Sequence, residues 1–348
     1  MSSERLESLH TSEAFANYAL RATFFARKLR ELHFLDSWRE VEKLRTVTDC
    51  FDWAGRERWG ISADAWQKAG KSGIDPILCF LHPRVLTEQP SLLLYYRCIA
   101  LLSQKGLQSL SGIAVADVET RRRVSIPPES RQNVVLAINS VLSVVVNSLE
   151  ELHDELLRAF LYSSAGAQIQ GSWNNAIGEH GHTVVKKLIL ESLMEEAVQL
   201  VWKNDSTTKV NEIKTEELRD RIPQVKVLRL TDGFHCIFSS EPDVSLRSPD
   251  EKPLIAVEVK AGTDPAGALE RLGAATKSLD NERSMNPGVK TVYVASCITR
   301  EVKNRIEQMN PFDHTFLLSE LLADAKVRKR FAGLFVKEIV KLKRTSQR

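Results

Sequence analysis

The chain has 348 residues, 43% of them hydrophobic and 27% charged, with a net charge of +3. That is enough to bury one large core or two ordinary ones, and too little net charge to announce a polyanionic partner by its sum. Five cysteines, at positions 50, 79, 98, 236 and 297, form neither a CxxC pair nor a zinc spacing; odd in number and scattered, they are expected as reduced thiols in a cytoplasmic protein and not as a disulfide framework. Met1 to Glu13 is polar and lacks the basic and apolar segments of a secretory signal. The longest apolar stretch, Val134 to Leu149, is broken by Asn139, Ser140, Ser143 and Asn147 and is too short to span a bilayer comfortably, so no membrane partner is expected.

The first half reads as helical. Ala16, Leu20, Phe24, Phe25, Leu29 and Leu32 recur at helical spacing behind a Ser12 cap, and Leu35, Trp38, Val41 and Leu44 continue the pattern. Pro76, Pro83 and Pro90 punctuate the next part. A helix is expected from Ser91 through Leu102, ended by Gly106, and after Pro127-Pro128 a long helix runs on, apolar on most faces to Val146 and one-sided through Phe160. Ser163-Ser164-Ala165-Gly166 and Gly171-Ser172-Trp173-Asn174-Asn175 read as a linker. They divide a helical domain over 1–165, expected to serve recognition or dimerisation, from a second domain over 166–348 that closes on a C-terminal helix.

The second half changes character. Thr183 to Trp202 is expected as an amphipathic helix. Strands follow at Lys226–Leu230, Phe234–Ser239, Val244–Leu246 and Leu254–Ala261, then a helix over Pro265–Leu279, a strand over Lys290–Cys297 and a helix over Glu301–Met309. Asp232-Gly233 is a turn signal between strands. The fold class is therefore α/β (α+β), a helical amino-terminal half followed by an αβββαβ succession around a mixed sheet.

Chemistry concentrates in one expected hairpin. Side chains alternate along a strand, so in Leu254-Ile255-Ala256-Val257-Glu258-Val259-Lys260 the residues Ala256, Glu258 and Lys260 share one face, and Ile255, Val257 and Val259 share the other. With one face buried, such a strand displays a carboxylate and an ammonium two residues apart. The polar turn Ser248 to Pro253 lets the chain fold back and bring Asp243 beside Glu258. Acid-any-Lys also occurs at Glu212, Asp250, Glu301 and Asp324, but only the copy at Glu258 sits in an apolar β-branched run, where burying ions costs several kcal/mol unless they are paired or hold a metal. The bland alternative is an edge strand with a solvated polar face.

With Pro242-Asp243 and Glu258-Val259-Lys260 as its two motif blocks, the chain resembles the PD-(D/E)xK nuclease superfamily over roughly residues 175 to 310. The run from Glu258 through Lys260-Ala261-Gly262-Thr263-Asp264-Pro265-Ala266-Gly267-Ala268-Leu269-Glu270-Arg271 is similar to type II restriction endonucleases of the XcyI family. That resemblance implies a homodimeric type II site-specific deoxyribonuclease cutting double-stranded DNA at the palindrome CCCGGG to leave 5′ overhangs, together with a companion DNA methyltransferase. The residue types suit the task. Mg²⁺ prefers oxygen ligands, which Asp243 and Glu258 provide, and it can offset phosphodiester charge, generate the nucleophile and stabilise the leaving oxygen. By resemblance the Val259 carbonyl is a further ligand and a helix-borne acid joins the site, with Glu179 the candidate and Glu191 its competitor. Lys260 would orient the attacking water and offset transition-state charge, leaving a 5′-phosphate and a 3′-hydroxyl.

Other features have weaker claims. His180 and His182 flank a glycine without matching metal spacing and read as capping or surface residues more readily than as ligands. Trp53, Trp59 and Trp66, with Arg56 and Arg58 between them, are expected in the core before they are expected on bases. Arg121-Arg122-Arg123, Arg131 and the segment Lys337 to Arg348 are basic clusters that either meet phosphate or stay solvated. Asp264 and Glu270 read as groups supporting the motif or as a solvated helix start. Two further functions stay open at this point: a structure-specific or repair nuclease on the same core, and a DNA-binding protein without activity.

Overall fold

Prolines organise the amino-terminal helices. The computed structural model describes residues 18–46, 51–123 and 125–346, and the chain divides into two units, Met1–Trp173 and Asn174–Arg348. In the first unit residues 18–31 and Phe34–Leu44 are helical, with Phe34, Trp38 and Val41 buried; Ser12, Ala16 and Cys50 lie outside the described residues. Pro76, Pro83 and Pro90 each sit at the start of a helical turn, where a missing N–H is no loss. Asp75 and His82 accept the N–H groups of Ile77 and Arg84 just beyond.

The polar residues that interrupt the apolar run have structural work. The helix Pro128–Ser148 buries Asn139, whose amide accepts from Leu81 N at 2.8 Å and donates to Leu81 O at 3.0 Å. Ser143 likewise donates to the Gly60 carbonyl and accepts from Ser62 N–H. Each pairs main-chain groups that packing would otherwise strand away from water. Trp53, Trp59 and Trp66 pack partly buried against the core of this unit, with the His82 ring 5.0 Å from Trp53 and 4.8 Å from Trp59. Among the described residues no helix is long and apolar enough to cross a membrane.

Several expected boundaries are corrected. The helix Leu93–Ile99 ends before Leu101, whose φ is 56°, and Gly106 lies inside the next helix, Gln104–Ser111, where its N–H is capped by Ser103. The run after Pro128 stops at Ser148 and does not continue to Phe160. The expected linker segments, 163–166 and 171–175, lie within a 40-residue helix, Asp154–Leu193. Each interior glycine costs such a helix about 1 kcal/mol, which full burial of Leu161, Ala165 and Ile169 offsets.

The second unit is built on a mixed eight-stranded sheet among the described residues. Its strands are β1 (Ala197–Trp202), β2 (Thr207–Lys209), β3 (Val225–Leu230), β4 (His235–Phe238), β5 (Val244–Arg247), β6 (Pro253–Lys260), β7 (Lys290–Ala295) and β8 (His314–Leu317), in the order β2-β1-β3-β4-β5-β6-β7-β8. Neighbours from β2 to β6 pair antiparallel; β6, β7 and β8 run parallel. The expected helix over Thr183–Trp202 therefore ends at Leu193 and turns into β1, where Leu200 and Trp202 are buried and Val198 is exposed. Pairing with β3 overrides the apolar pattern that reads as helical in isolation. Asp232 and Gly233, both at positive φ, make the turn between β3 and β4.

Both faces of the sheet are covered. On one, Val185, Ile189 and Leu190 from the long helix and Phe331, Phe335 and Ile339 from the C-terminal helix (Ala325–Ser346) pack with Ile255, Val257 and Val259 of β6. On the other, Leu272, Ala275 and Leu279 of the crossover helix (Ala268–Met285) pack with Ala256 and Tyr293. The expectation that β6 is buried on one face only is thus corrected. Parallel neighbours require crossovers, and the crossover helix covers the face that carries Glu258.

Candidate active site

The register of β5 against β6 places the first acid. Val244 pairs with Val257, so Asp243, one residue before β5, stands across from Glu258. Asp243 is only 6% exposed. Its Oδ2 accepts the Val259 N–H at 2.7 Å, and its Oδ1 lies 3.5 Å from Nδ1 of His182. Burial, then the charge of Glu258, push the Asp243 carboxyl up to about 7, against the pull of the Val259 N–H and Lys260.

Glu258 is 2% exposed and held on both oxygens, Oε1 by the ammonium of Lys260 and Oε2 by the Ser278 hydroxyl of the crossover helix at 2.8 Å. Lys260, at the end of β6, remains partly exposed. Three of the expected residues, Asp243, Glu179 and Val259, border one cavity of about 480 Å³. Glu258 and Lys260 are not on its wall; they lie on the face toward the crossover helix. The competitor Glu191 is absent from the wall and pairs with Lys187 at 3.9 Å on the surface. Asp264 is occupied locally, its side chain accepting from Ala266 N–H and its carbonyl from Arg271.

Sequence reasoning ranked His182 below a capping or surface role and did not single out Lys186 or Lys203, yet all three stand on the wall. A signal was available for two of them. Glu179, His182 and Lys186 stand at i, i+3 and i+7 of one helix and so share a face, whereas His180 points elsewhere and is exposed. Burial lowers the His182 imidazole, the Val259 carbonyl opposing it and Lys260 adding to it. Burial, then Lys203, bring the Lys186 ammonium down to about 8; it donates to the Val225 carbonyl at 2.8 Å and sits 4.9 Å over the Phe238 ring. Among the described residues no three His, Cys, Asp or Glu side chains gather as a metal nest. A divalent ion here would be held by few side chains and would take main-chain oxygen and water for the rest of its shell.

The helix and the strand meet at a glycine. A Cβ on Gly181 would lie 2.3 Å from the Cβ of Ala261, so only glycine lets the long helix approach the end of β6, and its neighbours Glu179 and His182 reach the cavity as a result. Gly166, Gly171 and Gly178 on the same helix have nothing within 4 Å of such an atom.

A mixed sheet with Pro242-Asp243 just before β5 and Glu258-Val259-Lys260 on its neighbour β6, flanked by a helix before the meander and a crossover after it, matches the arrangement expected from the sequence resemblance. The chain belongs to the XcyI restriction endonuclease family, whose model matches residues 57–332. It is 25% identical over 224 residues to the type II restriction enzyme XcyI of Xanthomonas campestris pv. cyanopsidis, a match covering 61% of this chain and 62% of that enzyme. It is 23% identical over 255 residues to the type II restriction enzyme Cfr9I of Citrobacter freundii, covering 70% and 71% of the two chains. The chain thus spans about three fifths of the Xanthomonas relative's length.

Proposed function

We propose that this protein is a cytoplasmic type II restriction endonuclease that hydrolyses double-stranded DNA at a short palindrome, CCCGGG by family resemblance, leaving 5′-phosphate ends with 5′ overhangs. The observation that carries the reading is the buried carboxyl of Asp243, held opposite the Glu258–Lys260 pair across adjacent strands. A buried carboxyl whose proton affinity is raised by burial and by a neighbouring carboxylate invites a cation in place of the proton.

The donors fit a hard divalent ion such as Mg²⁺. Asp243, the Val259 carbonyl and Glu179 would face it from the cavity wall, and Glu258 would join them by giving up its contact with Lys260. When bound, the ion supplies charge neutralisation and a more acidic water. Lys260 orients the nucleophile and offsets charge on the phosphorane-like transition state, while its contact with Glu258 sets where its ammonium waits. Lys186 and Lys203 line the cavity as contacts for phosphates flanking the scissile bond. Two copies of the chain, one per strand, serve the two-fold symmetry of a palindrome, and a companion methyltransferase protects the host's own sites.

The test is digestion of a mapped plasmid carrying CCCGGG, with Mg²⁺ and with chelator, followed by sequencing of the ends. Discrete fragments with 5′-phosphorylated overhangs are expected only with Mg²⁺. Cleavage confined to branched or single-stranded DNA would replace this reading with a structure-specific nuclease, and an intact plasmid under all divalent ions with a DNA-binding protein.

A further inference from the structure

One imidazole faces the same oxygens as the proposed ion. His182 Nδ1 lies 3.5 Å from Asp243 Oδ1, and His182 shares the cavity wall with Val259. That separation exceeds the roughly 2.7–3.2 Å of an N–H···O hydrogen bond. Two donors bound to one ion at about 2.0–2.2 Å, at angles between octahedral and tetrahedral, stand about 3.0–3.5 Å apart. The other Asp243 oxygen is committed to the Val259 N–H, so Oδ1 is the oxygen that faces the ring.

The placement of the ring is built into the fold. Gly181 permits the helix to approach Ala261 closely, and Ala261 directly follows Lys260 in the chain. His182 is the next residue after that contact. It is half-buried on the cavity wall, while His180, one residue before Gly181, is exposed.

We propose that His182 is a metal ligand, adding an imidazole nitrogen to the oxygens of Asp243 and Val259, and that the site therefore binds Co²⁺ and Mn²⁺ more tightly than Mg²⁺. This rests on reading the cavity as a metal-dependent nuclease centre. Mg²⁺ favours an all-oxygen shell, whereas a nitrogen donor raises affinity for first-row transition ions, Co²⁺ above Mn²⁺.

The test uses the full chain, titrated calorimetrically with Co²⁺ and with Mg²⁺, and pulsed EPR of the Mn²⁺-loaded protein. His182→Ala is expected to weaken Co²⁺ binding about tenfold or more, to change Mg²⁺ binding much less, and to abolish nitrogen coupling to Mn²⁺. His180→Ala should alter none of these, and His182→Gln, which keeps size and polarity, should not restore the coupling. If Asp243→Ala loses Co²⁺ while His182→Ala keeps both affinity and nitrogen coupling, the inference falls and the metal-dependent reading stands. If Asp243→Ala keeps Co²⁺ affinity, both fall together.

Discussion

A carboxyl held near neutrality by burial and by a second carboxylate stores a proton that a cation can displace. For Asp243 this has a measurable consequence without any metal present. Between the unfolded aspartate value of about 3.9 and the folded value of about 7, the folded chain keeps a proton that the unfolded chain has released. Stability therefore falls as pH rises through that window and levels out above it, by at most about 1.4 kcal/mol per pH unit. Thermal unfolding in chelator from pH 5 to 8 should show this decline, and Asp243→Asn should flatten it; parallel slopes in the two proteins would refute the assignment. Lys260 acts at a later stage. If its partly exposed ammonium serves the transition state as proposed, Lys260→Ala should lower kcat about 100-fold or more with DNA affinity nearly unchanged. Equal losses in binding and rate, read by filter binding and single-turnover cleavage, would make it a phosphate anchor instead.

The helix Asp154–Leu193 carries glycines of two kinds. Gly171 has open space where a side chain would go, so Gly171→Ala should stabilise the protein by about 0.5–1 kcal/mol through helix propensity alone. Gly181 meets Ala261, so Gly181→Ala must push the helix away from β6, at a cost of about 1–3 kcal/mol, and should withdraw Glu179 and His182 from the cavity with loss of cleavage. Denaturant midpoints of the two variants should move in opposite directions. The strands show why this contact was not legible beforehand. Alternation over Leu254–Lys260 identifies β6 because it is a local property of period two. The partner of its last residues is a glycine some eighty positions earlier, and nothing in either segment names the other.

At the scale of the whole molecule, a net charge of +3 means that DNA affinity depends on where cations sit more than on how many there are. Some of the basic groups are already engaged: Arg121 with Glu40 at 3.3 Å, Arg131 with Thr87 and the Ile126 carbonyl, Lys343 with Glu196 and Asp232. Lys186 and Lys203 are the better candidates for phosphate because they line the candidate cavity, Lys186 also donating to the Val225 carbonyl. Replacing either with alanine should reduce the slope of log affinity against log salt by about one, uniformly across sequences. The active species should be a two-fold dimer, and sedimentation with a short CCCGGG duplex should give two chains per duplex; a one-to-one complex that makes both cuts would contradict it.

Taken by itself, the amino-acid sequence determined the elements whose signals are local: the Asp232-Gly233 turn, the alternating strand that carries Glu258 and Lys260, the polar turn that returns the chain to Asp243, and the crossover to Lys290–Ala295. It also determined the family, because the residues of the two motif blocks are carried on those local elements. Tertiary structure decided what depends on distant partners. Pairing with β3 made Ala197–Trp202 a strand, and burial of Leu161, Ala165 and Ile169 kept a glycine-rich segment helical. The crossover helix buried Glu258 against Ser278, so the acid pair ended up in a half-dry site instead of on a solvated face. His182 entered the site for the same reason: a side chain's spacing along its own helix says which face it shares, but only packing of that helix against another element says what the face will meet.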